Sequence, residues 1–116
     1  MKDFKKLKTW QKGIKLVVDI YKTSQVFPKE ELYGLTSQMH RSAISIPSNI
    51  AEGAGRNSDK DFNRFLDISL GPSFELETQV IIAKELEFLS DDEFKNLTAK
   101  IQEEQKMITG LQRSLK

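Results

Sequence analysis

Residues 33–56 read YGLTSQMHRSAISIPSNIAEGAGR, and the spacing inside this stretch decides the fold class. Leu35, Met39, Ala43, Ile46 and Ile50 recur at steps of three and four, which places them on one face of a helix. Pro47 interrupts the pattern from within. Its nitrogen carries no hydrogen and its ring crowds the carbonyl of Ala43, so a kink is expected there. Gly53 and Gly55 close the stretch. Glycine enters the left-handed cap conformation without steric cost, so these two are expected to stop the helix.

Working outward, a first helix is expected from about Thr9 to Val26. Leu7, Trp10, Ile14, Val17 and Tyr21 step by three and four and form its packing seam. Phe27-Pro28 ends it, because the residue before proline is pushed out of helical geometry. The second helix is expected from about Pro28 to Glu52, with Gly34 able to split off a short opening turn. Ser58 with Asp61 resembles a capping box at the start of a third helix. Apolar residues from Phe62 to Leu89 cover more than one face of that helix, so more than one face must be buried. The surplus face predicts contact with another subunit, and Gly71-Pro72 predicts a bend. Ser90 caps a fourth helix whose seam is Phe94, Leu97, Ile101, Ile108, Leu111 and Leu115, interrupted by Glu104. Short connections favour antiparallel neighbours. The expected fold is all-α, an antiparallel up-down-up-down four-helix bundle, forming one domain over residues 1–116 and assembling as a closed homo-oligomer.

Composition narrows the class further. Apolar residues make up 38% and charged residues 30% of the 116 positions, the balance of a soluble globular chain. No run of about 18 apolar residues is present, so no membrane span is expected. The basic start, MKDFKKLKTW, leads into no apolar signal core, and a cytoplasmic protein is expected. Without cysteine there is no thiolate nucleophile and no Cys-bound zinc. Net charge is +1, yet residues 1–22 carry +5 and residues 58–89 carry −4. Either the basic first helix packs beside the acidic third one, or the basic arm meets phosphates.

Three segments carry a resemblance: FKKLKTWQKGIKLVVDIYKTSQVFP, YGLTSQMHRSAISIPSNIAEGAGR and FNRFLDISLGPSFELETQVIIAKELEFL. In this order and spacing the chain resembles the bacterial four-helix-bundle proteins encoded by intervening sequences within 23S ribosomal RNA genes. NIAEG-x-GR followed by F-x-x-FL and ELE is the distinctive part. The resemblance implies an up-down bundle and a homo-oligomer, a homopentamer in related cases. It also implies kinship with the accessory variability proteins of diversity-generating retroelements, nucleic-acid-binding partners of a reverse transcriptase.

Candidate chemistry is sparse. His40 is the only histidine, and Ser37 occupies the place where a Glu-x-x-His di-iron motif needs glutamate. Ser37, Ser42, Ser45 and Ser48 share a helix with His40 but lack a strained elbow. No catalytic residue, metal or cofactor is therefore expected, and the protein reads as non-enzymatic. Glu52, Glu75 and Glu77 match the NIAEG and ELE positions of the family. Pairing with Arg41 or Arg56 between helices would set register. Pro47, Gly53 and Gly55 complete the structural set. The binding set is Lys5, Lys8, Lys12 and Lys15, a basic ridge if helix starts early, with Arg56 and Arg64. Phe4 and Trp10, interleaved with the lysines, would allow base stacking, or else belong to the core. The expected partners are further copies of the chain, RNA or another nucleic acid, and alternatively an unidentified protein, with no membrane.

Overall fold

Four helices form where the apolar spacing places them: α1 Lys8–Ser24, α2 Leu35–Ala54, α3 Asp59–Glu85 and α4 Asp91–Ser114. The structure, a computed structural model, describes residues 2–115, and no strand occurs among them. Short 3-10 turns at Phe4–Lys6 and Lys29–Glu31 precede α1 and α2. Pro28 and Gly34 explain the second of these. Pro28 precedes the turn, and Gly34 stands at the N-cap of α2, so the helix begins at Leu35 rather than at Pro28.

Side chains start the two later helices. Ser58 Oγ accepts from the Asp61 amide at 3.1 Å, whereas the Asp61 carboxylate turns to Arg64 Nε at 3.2 Å. At α4 the capping box is complete, with Ser90 Oγ accepting from Glu93 N and Glu93 Oε1 accepting from Ser90 N. These bonds satisfy amides that have no partner inside the helix. Three acidic residues in the first turn of α4 complement its positive end.

Packing follows a ring. α1 adjoins α2 and α4, α2 adjoins α3, and α3 adjoins α4, while the backbones of the two diagonal pairs stay apart. The basic α1 therefore does not lie beside the acidic α3. Its cross-helix ion pairs go to α4 instead, Lys12–Glu103 at 3.4 Å and Asp19–Lys100 at 2.6 Å. The core is built from Leu16, Ile20, Met39, Ile46, Ile50, Leu66, Leu76, Leu97, Ile101 and Ile108, all buried. Each such side chain contributes roughly 1.5–3 kcal/mol on leaving water.

Two expectations need correcting. The fully buried face of α1 is Thr9, Gly13, Leu16, Ile20 and Ser24; of the expected seam, Leu7, Trp10 and Val17 pack against the core from its rim, whereas Ile14 and Tyr21 stand 39% and 40% exposed. Small residues turn inward because α1 approaches its neighbours closely there. Nor does a left-handed glycine stop α2. Gly53 lies inside the helix, and Gly55 caps it at φ −79°, ψ −4°, a right-handed conformation. Gly53 serves closeness instead, since a Cβ would stand 2.6 Å from Phe65 Cβ on α3. Both α2 and α3 continue through their prolines, Pro47 and Pro72.

Candidate nucleic-acid interface

The α2–α3 turn gathers charge and aromatic surface at one end of the bundle. The guanidinium groups of Arg56 and Arg64 each lie 4.6 Å from the Phe65 ring centre. Such contacts are worth about 1 kcal/mol at exposed sites. A carboxylate also holds each arginine, Glu52 for Arg56 at 3.1 Å and Asp61 for Arg64 at 3.2 Å. The N-terminal arm closes onto the same corner. Lys2 N donates to the Ala54 carbonyl at 2.7 Å, and Lys2 Nζ reaches Asp59 at 3.1 Å.

The expected lysine ridge is broken at Leu7, whose backbone is extended at φ −77°, ψ 124°. Lys5 thus sits on the Phe4–Lys6 turn, and only Lys8, Lys12 and Lys15 share α1. All four are exposed. Lys12 is engaged by Glu103, whereas among the described residues no ion pair involves Lys5, Lys8 or Lys15. Phe4 and Trp10 meet edge to face at 5.2 Å and pack partly against the core. Lys100, which sequence spacing does not single out, lines a notch with Lys12, Lys15, Leu16 and Glu103. Its partner Asp19 is 81 residues away, so only the folded chain brings them together.

The structural set is arranged differently from expectation. Arg56 bonds Glu52 of its own helix end rather than bridging to α3. Glu77 accepts from Gln105 at 2.9 Å and Gln102 at 3.1 Å on α4. Arg41 and Glu75 point to solvent, and among the described residues neither forms an ion pair. The expected pair between the helices is therefore not formed in the structure.

His40 finds its serine on α1. Ser24 Oγ and His40 Nε2 are 2.9 Å apart, and the imidazole stacks on Tyr21 with ring centres 3.7 Å apart. Burial lowers the His40 pKa, because desolvation disfavours the charged ring. The four serines of α2 considered beside His40 are not its partner. Ser24 is 4% exposed, and no carboxylate orients the ring among the described residues, so the contact ties α1 to α2. Among the described residues no group of three or more His, Cys, Asp or Glu side chains is arranged to hold a metal ion. No helix among them is long and apolar enough to cross a membrane.

Helix content and packing place the chain among the all-α four-helix bundles. Residues 5–110 match the family described as 23S rRNA-intervening sequence protein, and the chain belongs to that family. No curated protein matches it.

Proposed function

We propose that this chain is a non-enzymatic oligomeric binding protein that takes up RNA or another nucleic acid through its basic α1 side and the adjoining Arg56–Arg64 corner. The observation that carries the reading is the set Lys5, Lys8 and Lys15, exposed and without an ion pair among the described residues, with the Phe4 ring next to Lys5. Unpaired lysines release counterions when phosphates arrive, and accessible aromatics stack on bases. The family's description refers to an intervening sequence of 23S rRNA, a gene location, so the reading rests on the surface and not on the family's description. The bundle is read as up-down-up-down, because Gly13 approaches Pro47 while Ser24 meets His40. The antiparallel sense of α1 and α4 follows from Lys12–Glu103 and Asp19–Lys100 in the same way.

Self-association is part of the proposal. Ile68, Phe74, Ile81 and Ile82 leave an apolar stripe on α3, and Trp10, Ile14, Val17 and Ile44 line an apolar groove between α1 and α2. These are different surfaces, so joining one to the other is head-to-tail, the arrangement that gives a ring when its rotation closes and a filament when it does not. The family resemblance suggests a homopentamer. The same apolar surfaces favour the second reading, a scaffold that engages a protein partner and no nucleic acid.

The test is binding of a structured RNA measured across a salt series, with light scattering to report the assembly. The parent should lose affinity steeply as salt rises. Replacing Lys5, Lys8 and Lys15 by Glu should weaken binding and flatten the log–log salt slope by about 2–3, with helicity retained. If the triple variant binds with the parent's affinity and slope, the lysines are not the site. An oligomer indifferent to RNA at low salt favours the scaffold.

A further inference from the structure

Glu104 places a carboxyl group in the middle of the bundle. It continues the α4 seam between Ile101 and Ile108 and is 1% exposed. Neither of its oxygens has a hydrogen-bond partner. The space it occupies is provided by α1. A Cβ on Gly13 would stand 2.9 Å from Glu104 Oε2 and 3.3 Å from Pro47 Cβ. Three helices therefore meet where α4 brings an acid, α1 brings no side chain and α2 brings a proline.

An ionised carboxylate without a partner is very costly in such a place, and the neutral acid costs far less. Burial first, then the neighbouring Glu103, push the Glu104 pKa up to about 8, against a smaller opposing pull from Lys12. The surrounding charges are spoken for. On the α1 side, Lys12 is paired with Glu103 and Asp19 with Lys100. On the α3 side, Glu77 is held by Gln102 and Gln105. From α2 comes Pro47, and no charge of α2 or α3 bears on Glu104. On the α1–α4 seam, the residue beside Glu104, Glu103, lines a notch of about 60 Å³ with Lys12, Lys15, Leu16 and Lys100. α-Helical backbone is interrupted on both sides of α1, at Leu7 and between Gln25 and Gly34, where the only regular element is the 3-10 turn Lys29–Glu31.

We propose that Glu104 is a proton-held latch between α4 and α1. Protonated, it lets Gly13 close over it. On losing its proton to solvent, the carboxylate displaces α1 along the notch and reaches water and the ammonium groups of Lys12, Lys15 and Lys100. The folded bundle with α1 docked is then favoured by protons across the window between the carboxyl's ordinary pKa and its raised one. Ser24 and His40 on the far end of α1 act in the opposite sense, since a histidine with a lowered pKa favours the docked state as protons are lost. The comparison that isolates Glu104 is therefore between the parent and Glu104→Gln, whose amide keeps the shape and does not titrate.

The experiment is hydrogen exchange of the full-length protein at pH 5.5, 6.5 and 7.5, expressed as protection factors so that the intrinsic rate cancels. Parent α1 amides should lose protection by up to about tenfold per pH unit, while α2 and α3 amides hold theirs. In Glu104→Gln, α1 protection should no longer decline with pH. If that variant does not fold, Glu104→Met provides the same comparison with an apolar side chain. An equal pH dependence of α1 protection in both proteins overturns the latch, whatever its sign, because His40 contributes the same slope to each. Parallel loss in all four helices also overturns it, because the group would then govern global unfolding rather than α1.

Discussion

Replacing Gly53 by alanine tests the α2–α3 contact directly, and Gly55→Ala is its counterpart. A Cβ at position 53 would lie 2.6 Å from Phe65 Cβ, 3.0 Å from Phe62 Cδ1 and 3.3 Å from the Phe62 carbonyl. Carbon atoms pack at about 3.5–4.0 Å, so α2 and α3 must part by about 1 Å. The atom struck first belongs to the root of a side chain and not to its flexible end, so rotamer change gives no relief. Overpacking of this kind costs about 1–3 kcal/mol, and alanine's better helix propensity returns about 1 kcal/mol. Near the upper end of the range the net loss is about 2 kcal/mol, or about 8 °C in Tm for a chain of this length. Gly55 differs. It is right-handed, and a Cβ there meets nothing nearer than 3.5 Å. Gly→Ala at a compatible conformation stabilises by about 0.4–1 kcal/mol, through the unfolded chain. Thermal melts followed by circular dichroism should show Gly53→Ala melting lower than the parent and Gly55→Ala at or above it. The reverse order would refute the close-contact reading and restore the left-handed cap.

Two further outcomes follow from local geometry. Ser90→Ala removes the acceptor of the Glu93 amide at 3.1 Å and breaks the capping box, so urea denaturation should show a loss of about 1 kcal/mol. His40, whose pKa is lowered by burial, takes up a proton in the unfolded chain before it does so in the fold. Its stabilising contribution is therefore present above the ordinary histidine pKa of about 6.5 and lost as pH falls below it. Chemical denaturation at pH 7.5 and 5.5 should show a less favourable change on acidification in the parent than in His40→Gln, Glu104 contributing the same opposite change to both, and an equal change in the two would sink the assignment.

Large, regularly spaced apolar residues made α2 legible. Met39, Ala43, Ile46 and Ile50 are all 0% exposed, as their spacing requires. On α1 the same reasoning found only the rim of the buried face: Leu7, Trp10 and Val17 pack against the core, while Ile14 and Tyr21 stand exposed and the fully buried line runs through Thr9, Gly13, Leu16, Ile20 and Ser24. A small residue makes room for a neighbour, and that neighbour is invisible in a one-dimensional pattern. Glu104 shows the converse. As a polar residue on an apolar seam it looks like an interruption, yet it is buried with the seam. Arg56 and Arg64 were recoverable as a pair because only eight positions separate them across a turn. Lys100–Asp19 and Ser24–His40 were not, because both join different helices.

The orientation of α1 links the proposals. This helix turns glycine, threonine and serine inward and leaves Ile14, Val18 and Tyr21 between 39% and 43% exposed. In an isolated bundle that choice sacrifices burial, since each Å² of apolar surface left in water forgoes about 25 cal/mol. Two returns offset it. Inward, the missing side chain at Gly13 admits both Pro47 and the Glu104 carboxyl, which a larger residue would exclude. Outward, Ile14 joins Trp10 and Val17 on the wall of the α1–α2 groove, with Pro47 shared between groove and core. In the proposed assembly a neighbouring copy's α3 covers that groove and recovers the lost burial. Occupation of the groove then presses α1 onto Pro47 and opposes the same displacement that ionised Glu104 favours. Assembly and protonation should therefore reinforce each other, so the oligomer holds α1 docked to a higher pH than the monomer does.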